Sequence, residues 1–182
     1  IFMDNKLFKS FGILFILVTL YFLNKNIQSK YTPLNNQFFS IEEKDINKII
    51  ISSKEDIIEL SRSDTIWSIS GNDTLIIKKN LVKNLFKSMN ELQKLHLVTS
   101  KKSNWARYGI SDTLGTHLAL IDGNGLTKFH YVFGLSNDEY NKCYVRSNKN
   151  SDVHLLNSNI LYQLQTSPLF WGTKPNQDNE LN

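Results

Sequence analysis

Hydrophobic and polar positions along the chain fall into two regimes. Residues 11–23, FGILFILVTLYFL, are apolar on every helical face, and the uncharged stretch runs from Ser10 to Asn24. At about 1.5 Å per residue, residues 7–23 would span roughly 25 Å as a helix, slightly less than the hydrocarbon core of about 30 Å, with Lys9 able to snorkel outward. This spacing predicts a short transmembrane helix. The competing reading is a cleaved signal peptide, since the length fits an h-region and Lys6 and Lys9 make a basic n-region. No pair of small residues in A-x-A spacing follows Leu23, and no Cys follows that could be lipidated, which favours an uncleaved anchor. The polar spacer from Asn24 to Gln37, containing Pro33, sets the run apart from a buried core helix. Lys6 and Lys9 before the run balance Lys25 and Lys30 after it, so the positive-inside count is tied. A short tail ahead of a folded domain places the tail in the cytoplasm and the domain outside. Ile1 and Phe2 precede Met3, which can serve as the natural start.

From Ile41 onward the period shortens. Ile46, Ile49, Ile50 and Ile51, then Ile57, Ile58 and Leu60, then Ile66, Trp67 and Ile69 form β-branched runs separated by polar breaks, and predict an antiparallel meander. Residues 117–121, 126–133, 142–146 and 153–156 predict a second group of strands, with Asp122-Gly123-Asn124-Gly125 as a hairpin turn. Leu81, Val82, Leu85, Phe86, Met89 and Leu92 follow helical spacing, with Asn80 as N-cap. A second helix is expected at Ile160, Leu161 and Leu164, ended by Pro168. Each half thus reads as strands and then a helix, a pattern of degenerate internal duplication divided near residues 104–113. The fold class is α+β: antiparallel meanders, each followed by a helix, behind one N-terminal transmembrane helix. The expected layout is a cytoplasmic tail and anchor at 1–24, a linker at 25–40, an extracytoplasmic domain at 41–172 and a disordered polar tail at 173–182.

Several short motifs recur in a fixed order. They are Asp45-Ile46-Asn47-Lys48-Ile49 running on to Ile51, Trp67, Tyr108-Gly109-Ile110 leading to Asp112, Phe133-Gly134, Tyr144-Val145-Arg146, and the strand at 153–156. Together they resemble domain-of-unknown-function family 4340, over roughly residues 38–164. The chain departs from that pattern at Thr113, where a proline is common, and around residues 166–172, where a charged ending is usual. The resemblance implies a single-pass bacterial envelope protein, often encoded beside a gliding-motility-type ABC transporter and its auxiliary membrane protein. It implies no catalytic residues.

Composition narrows the chemistry further. The 182 residues can bury one core, and their 11 Phe, 7 Tyr and 3 Trp against 8 Gly and 3 Pro exclude a low-complexity chain. The single Cys143 excludes an internal disulfide and a Cys-rich metal centre, and reads as a small core residue. A net charge of +4 from scattered lysines gives no basis for nucleic-acid binding. Lys well above Arg, abundant Asn and scarce Ala are typical of AT-rich bacterial genomes. No G-x-S-x-G elbow, H-E-x-x-H helix or phosphate-binding glycine loop is present, so no enzyme activity, cofactor or small-molecule substrate is expected.

Four candidate features remain. If residue 121 pairs with 126 across the hairpin, His117 faces His130 directly and the two could share a metal. If Asn124-Gly125 is the two-residue turn, His130 pairs with Ala119 and the imidazoles are diagonal. No further ligand at metal spacing is visible, and the expectation is no metal. Arg146, sharing a strand face with Tyr144, is either an internal ion-pair partner or an anchor for a partner protein. Phe170 and Trp171 either close the core or form an exposed contact patch, and Trp105 and Tyr108 are expected to pack one half onto the other. Lys79, Lys83 and Lys87, four apart on the first helix, form either a solvated face or a stripe that rests on anionic lipid. The reading that unites these features is a non-enzymatic, membrane-anchored accessory or assembly subunit of an envelope membrane complex. The alternatives are a lipid- or ligand-binding envelope module without a stable partner and, further off, a periplasmic hydrolase.

Overall fold

The computed structural model describes residues 12–23, 25, 38–54 and 56–175. The chain divides into two compact units, residues 1–36 and 37–182. In the first, residues 12–23 form a helix, α1, whose side chains are all exposed. Thr19 Oγ1 donates to the carbonyl of Phe15 at 2.8 Å, one turn back. This gives the Thr19 hydroxyl a partner within a largely apolar stretch. No helix among the described residues is long and apolar enough to cross a membrane.

The second unit is built on an eight-stranded antiparallel sheet in the order β3-β2-β1-β6-β7-β8-β9-β5. Its strands are β1 (Lys48–Ser53), β2 (Asp56–Ser63), β3 (Ile66–Ile69), β5 (Lys94–Thr99), β6 (Thr116–Ile121), β7 (Thr127–Leu135), β8 (Cys143–Ser147) and β9 (Val153–Leu156). The first three strands meander outward from the centre and β6 to β9 meander outward the other way. The two groups meet where β1 pairs antiparallel with β6, Ile49 opposite Leu120 and Ile51 opposite Leu118. The predicted α+β class holds in this form.

Period-two alternation divides the sheet into two faces. Ile49, Ile51, Ile58, Leu60, Leu118, Leu120, Phe133, Cys143 and Val145 face one side. There they meet Val82, Leu85, Phe86 and Met89 of α2 (Lys79–Asn90), the buried stripe of an amphipathic helix. Trp67 packs on Phe86 and donates its indole N–H to Glu43 Oε1 at 2.8 Å. The opposite face carries a smaller cluster of Val132, Tyr144, Val153, Leu155 and Ile110.

Several local expectations change. α2 begins at Lys79, with Lys78 at the cap position and no side-chain cap, so Asn80 lies inside the first turn. The Lys78 side chain instead reaches the carbonyls of Leu169 and Phe170 at 3.1 and 3.0 Å. The second predicted helix is a 3-10 turn, Leu161–Gln163, and Pro168 opens rather than ends a helix, the four-residue α3 (Pro168–Trp171). Proline suits the first helical position because its missing N–H has no helical partner there. The strand β5 went unforeseen and crosses to the free edge of β9. β10 (Gly172–Thr173) pairs with β4 (Ile76–Ile77), so Thr173 is ordered, and residues 176–182 of the expected tail lie outside the described residues. The expected linker is shortened at its far end, because Phe39 is buried in the core and Phe38 packs against it, its N–H bonded to Leu92 O at 2.9 Å. Residues 26–37 of that linker also lie outside the described residues.

Candidate functional site

The later motifs, Tyr108-Gly109-Ile110 with Asp112, Phe133-Gly134, Tyr144-Val145-Arg146 and the strand at 153–156, converge on one structure, a strap of residues 100–115 laid across the second sheet face. Gly109 has φ +62°, a left-handed conformation that glycine adopts without a Cβ penalty. It faces Gly134 of β7. A Cβ on Gly134 would run into the carbonyl oxygens of Tyr108 and Gly109, the latter at 2.8 Å, so the strap lies close because the strand carries no side chain there. Ile110 then seats fully buried among Val132, Tyr144, Val153 and Leu155. The rings of Tyr108 and Tyr144 meet edge to face at 4.9 Å.

Arg146 fastens the strap from below. Its side chain is 1% exposed, donates Nε–H to Ile110 O at 2.7 Å, and forms an ion pair with Asp112 through Nη2. Its guanidinium also lies 3.9 Å from the Trp105 ring centroid, in cation–π range. Trp105 is held in turn by its indole N–H, which donates to Ser151 O at 3.2 Å. Of the two sequence readings, the geometry matches the internal one. Neither Arg146 nor Tyr144 offers the accessible surface that a partner-binding anchor needs, because β8 points both into the strap. Asp112 was not singled out in the sequence, although it belongs to the same short motif as Tyr108-Gly109-Ile110.

The other candidates separate. Trp171 is fully buried, with its indole N–H donating to Gln165 O at 2.7 Å, and Phe170 is half-buried beside it. The pair closes the core under α2 and forms no exposed patch. Lys79, Lys83 and Lys87 all stand on the exposed face of α2, with Lys87 3.9 Å from Glu91.

The histidines take the diagonal arrangement. A bulge after Leu120 leaves Ala119 opposite His130 and His117 opposite Val132. The turn is set by Asp122, whose carboxylate accepts the N–H groups of Leu126 and Asn124, each at 2.9 Å, and sits 3.1 Å from Lys128. These bonds, the Leu126 N–H foremost, hold its pKa below the ordinary carboxylate value. Even on the diagonal, His117 Nδ1 and His130 Nε2 are 3.2 Å apart, and His117 Nε2 lies 3.0 Å from Asp112 O. A carbonyl only accepts, so the neutral pair carries its protons on His117 Nε2 and His130 Nε2, with His130 donating to His117. Burial, then the proximity of His117 and of Arg146, push the His130 pKa down. Both imidazoles are therefore part of the strap's hydrogen-bonding. Among the described residues no group of three or more His, Cys, Asp or Glu is placed to hold a metal ion.

A cleft of about 530 Å³ opens beside the glycine contact, lined by Arg107, Gly109, Gly134, Asn137, Gln165 and Thr166 among others. Its walls are mostly polar, and among the described residues its one cation is Arg107.

The second unit is an antiparallel α+β sheet domain in which the residues of the later motifs serve one backbone crossing. The chain belongs to the family described as domain of unknown function DUF4340, whose model matches residues 67–175. The match begins at Trp67, so the Ile-rich first strand lies outside the matched stretch and the C-terminal α3 and β10 lie within it. No curated protein and no solved structure matches the chain.

Proposed function

We propose that this protein is a membrane-anchored, non-enzymatic accessory or assembly subunit of a bacterial envelope complex, with residues 11–23 as a single-pass anchor in the inner membrane and the sheet domain in the periplasm. The observation that carries the reading is α1, a helix of Ile, Leu, Phe and Val side chains that are all exposed, in a unit separate from the folded core. An apolar surface that continuous is costly in water and favourable in a bilayer. The non-enzymatic half of the reading is supported by what the family-typical residues do. Tyr108, Gly109, Ile110, Gly134, Tyr144 and Arg146 hold the strap to the sheet through packing of the rings, the close glycine contact and the Arg146 guanidinium, which is engaged in that task. The genomic neighbourhood implied by the resemblance makes a gliding-motility-type ABC transporter the proposed host.

The topology also supports a degenerate duplication. β1 and β6 lie antiparallel at the sheet centre, and each starts a meander that runs outward and ends in helical turns. A second functional reading, a ligand- or lipid-binding module without a stable partner, is favoured by the polar cleft beside Gly134.

Affinity purification of the full-length chain from its own membranes in mild detergent separates the two. The accessory reading expects membrane-complex subunits to be recovered in fixed proportion and to be lost when residues 11–23 are replaced by an unrelated transmembrane helix. Recovery of the chain alone overturns it and moves attention to the cleft.

A further inference from the structure

The outer edge of the sheet at β5 exposes large apolar side chains between lysines. Leu95 and Leu97 are 42% and 52% exposed on that edge strand, with Lys94 on the same strand and Lys101 and Lys102 just beyond its end. The polypeptide coming from the apolar N-terminal segment arrives at the same place. Phe38, the first described residue of the folded unit, bonds its N–H to Leu92 O, and its ring lies under the Lys94 ammonium at 5.1 Å. Beside it is a hollow of about 270 Å³ lined by Phe38, Lys94, Tyr131, His154, Lys149 and Asp152 among others. Exposed leucines, lysines at both ends of the strand and the first described residue of the folded unit therefore share one edge.

We infer that this β5 edge is the surface on which the domain rests against an anionic bilayer, the leucines entering the headgroup boundary and the lysines pairing with lipid phosphates. The inference rests on the membrane-anchored reading above and adds an orientation to it. Two observations favour a bilayer over a partner's strand. β5 is irregular, with register shifts between Lys94 and His96 and between Leu97 and Thr99, and bulges spoil an edge as a template for further strand pairing. The combination of isolated large apolar side chains with flanking lysines is the pattern of interfacial membrane contact. The α2 stripe of Lys79, Lys83 and Lys87 has charge without it: the exposed positions between the lysines are Asn80 and Asn84, and Lys87 is near Glu91. The length of chain allows the contact. The 14 residues between Leu23 and Phe38 reach at most about 50 Å when extended, which keeps the domain near the membrane without fixing its orientation.

The test uses the full chain reconstituted into phosphatidylcholine–phosphatidylglycerol vesicles, with a fluorophore on a single introduced cysteine at Leu97→Cys, Lys83→Cys or Leu17→Cys. Cys143 is buried and does not compete for the label. Quenching by nitroxide lipids reads depth. The expected result is strong quenching at residue 17 by acyl-chain nitroxides, and quenching by headgroup-proximal nitroxides on the order of threefold stronger at residue 97 than at residue 83, as befits a side chain about 5–10 Å into the interface. The residue 97 signal is expected to fall in pure phosphatidylcholine and in a Lys94→Glu, Lys101→Glu, Lys102→Glu variant with an unchanged circular dichroism spectrum. Quenching at residue 17 with none at 97, or more at 83 than at 97, overturns the orientation and leaves the anchor intact. Absence of quenching at residue 17 overturns the anchor and this inference with it.

Discussion

Replacing Arg146 by Ala removes one side chain that holds three groups, and the structure allows the cost to be apportioned. The bond from Nε to the buried Ile110 carbonyl is charge-assisted, and leaving that oxygen without a partner costs about 1.5–3 kcal/mol. The face of Trp105, 3.9 Å away and largely shielded, contributes about 1–2 kcal/mol. The Asp112 carboxylate is 71% exposed and rehydrates when the guanidinium is lost, so the ion pair itself adds only about 0–1 kcal/mol. Arg146→Ala should therefore destabilise the folded unit by about 3–5 kcal/mol, a fall in Tm on the order of 10 °C for a domain this size. Urea unfolding of residues 37–182, followed by tryptophan fluorescence, measures the loss. Arg146→Lys should recover little, since an ammonium has neither the planar fork nor the flat face that Trp105 meets. Asp112→Asn should cost about 1–3 kcal/mol, because it keeps an acceptor oxygen but leaves the buried guanidinium without its carboxylate. A loss below about 1 kcal/mol for Arg146→Ala, or full stability in Arg146→Lys, would refute the assignment of Arg146 as the strap's fastener.

Other consequences can be checked on the same domain. Gly134→Ala should lift the strap, because the new Cβ meets two carbonyl oxygens of the backbone, and amide exchange across residues 105–115 should accelerate relative to the sheet. The folded state lowers the His130 pKa, so the unfolded chain binds the proton more readily. His130 thus opposes unfolding above pH about 6.5 and loses that contribution as pH falls from there through the folded-state value; His130→Gln should flatten the dependence, and an unchanged slope would contradict it. His154, whose pKa is lowered by burial and then by Lys94, acts in the same direction, so the His130 variant should reduce the slope without abolishing it. Burial pushes the Cys143 thiol up to about 11, so native protein should resist alkylation at pH 8 and react only on unfolding.

How much of this was legible in the sequence depends on the range over which each signal acts. Short runs rich in β-branched residues between polar breaks located three strands of the main sheet, and four further apolar runs around a hairpin turn located β6 to β9, because such runs and turns are local signals. β5 was missed because its exposed Leu95, His96 and Leu97 sit on an edge, where burial imposes no alternation. The second helix failed for a related reason. Ile160 and Leu164 are buried as predicted, but the segment between them turns only once, since Trp171 and not a long helix fills the space under α2. Gly109 and Gly134 were recognisable as motif residues, yet their contact joins a loop to a strand 25 positions away and has no sequence period. The Arg146–Asp112 pair was legible only as an arginine that wanted an acid. The bulge after Leu120 decided the histidine register, and the four-residue loop alone left both registers open.

The central claim, a domain tied to the envelope membrane by residues 11–23, is tested most directly by alkaline carbonate extraction of membranes from cells making the full chain and a variant with Leu14, Ile16, Leu17 and Val18 changed to Ser. The full chain should stay in the membrane pellet while the variant is released. Release of the unaltered chain at alkaline pH would contradict the account.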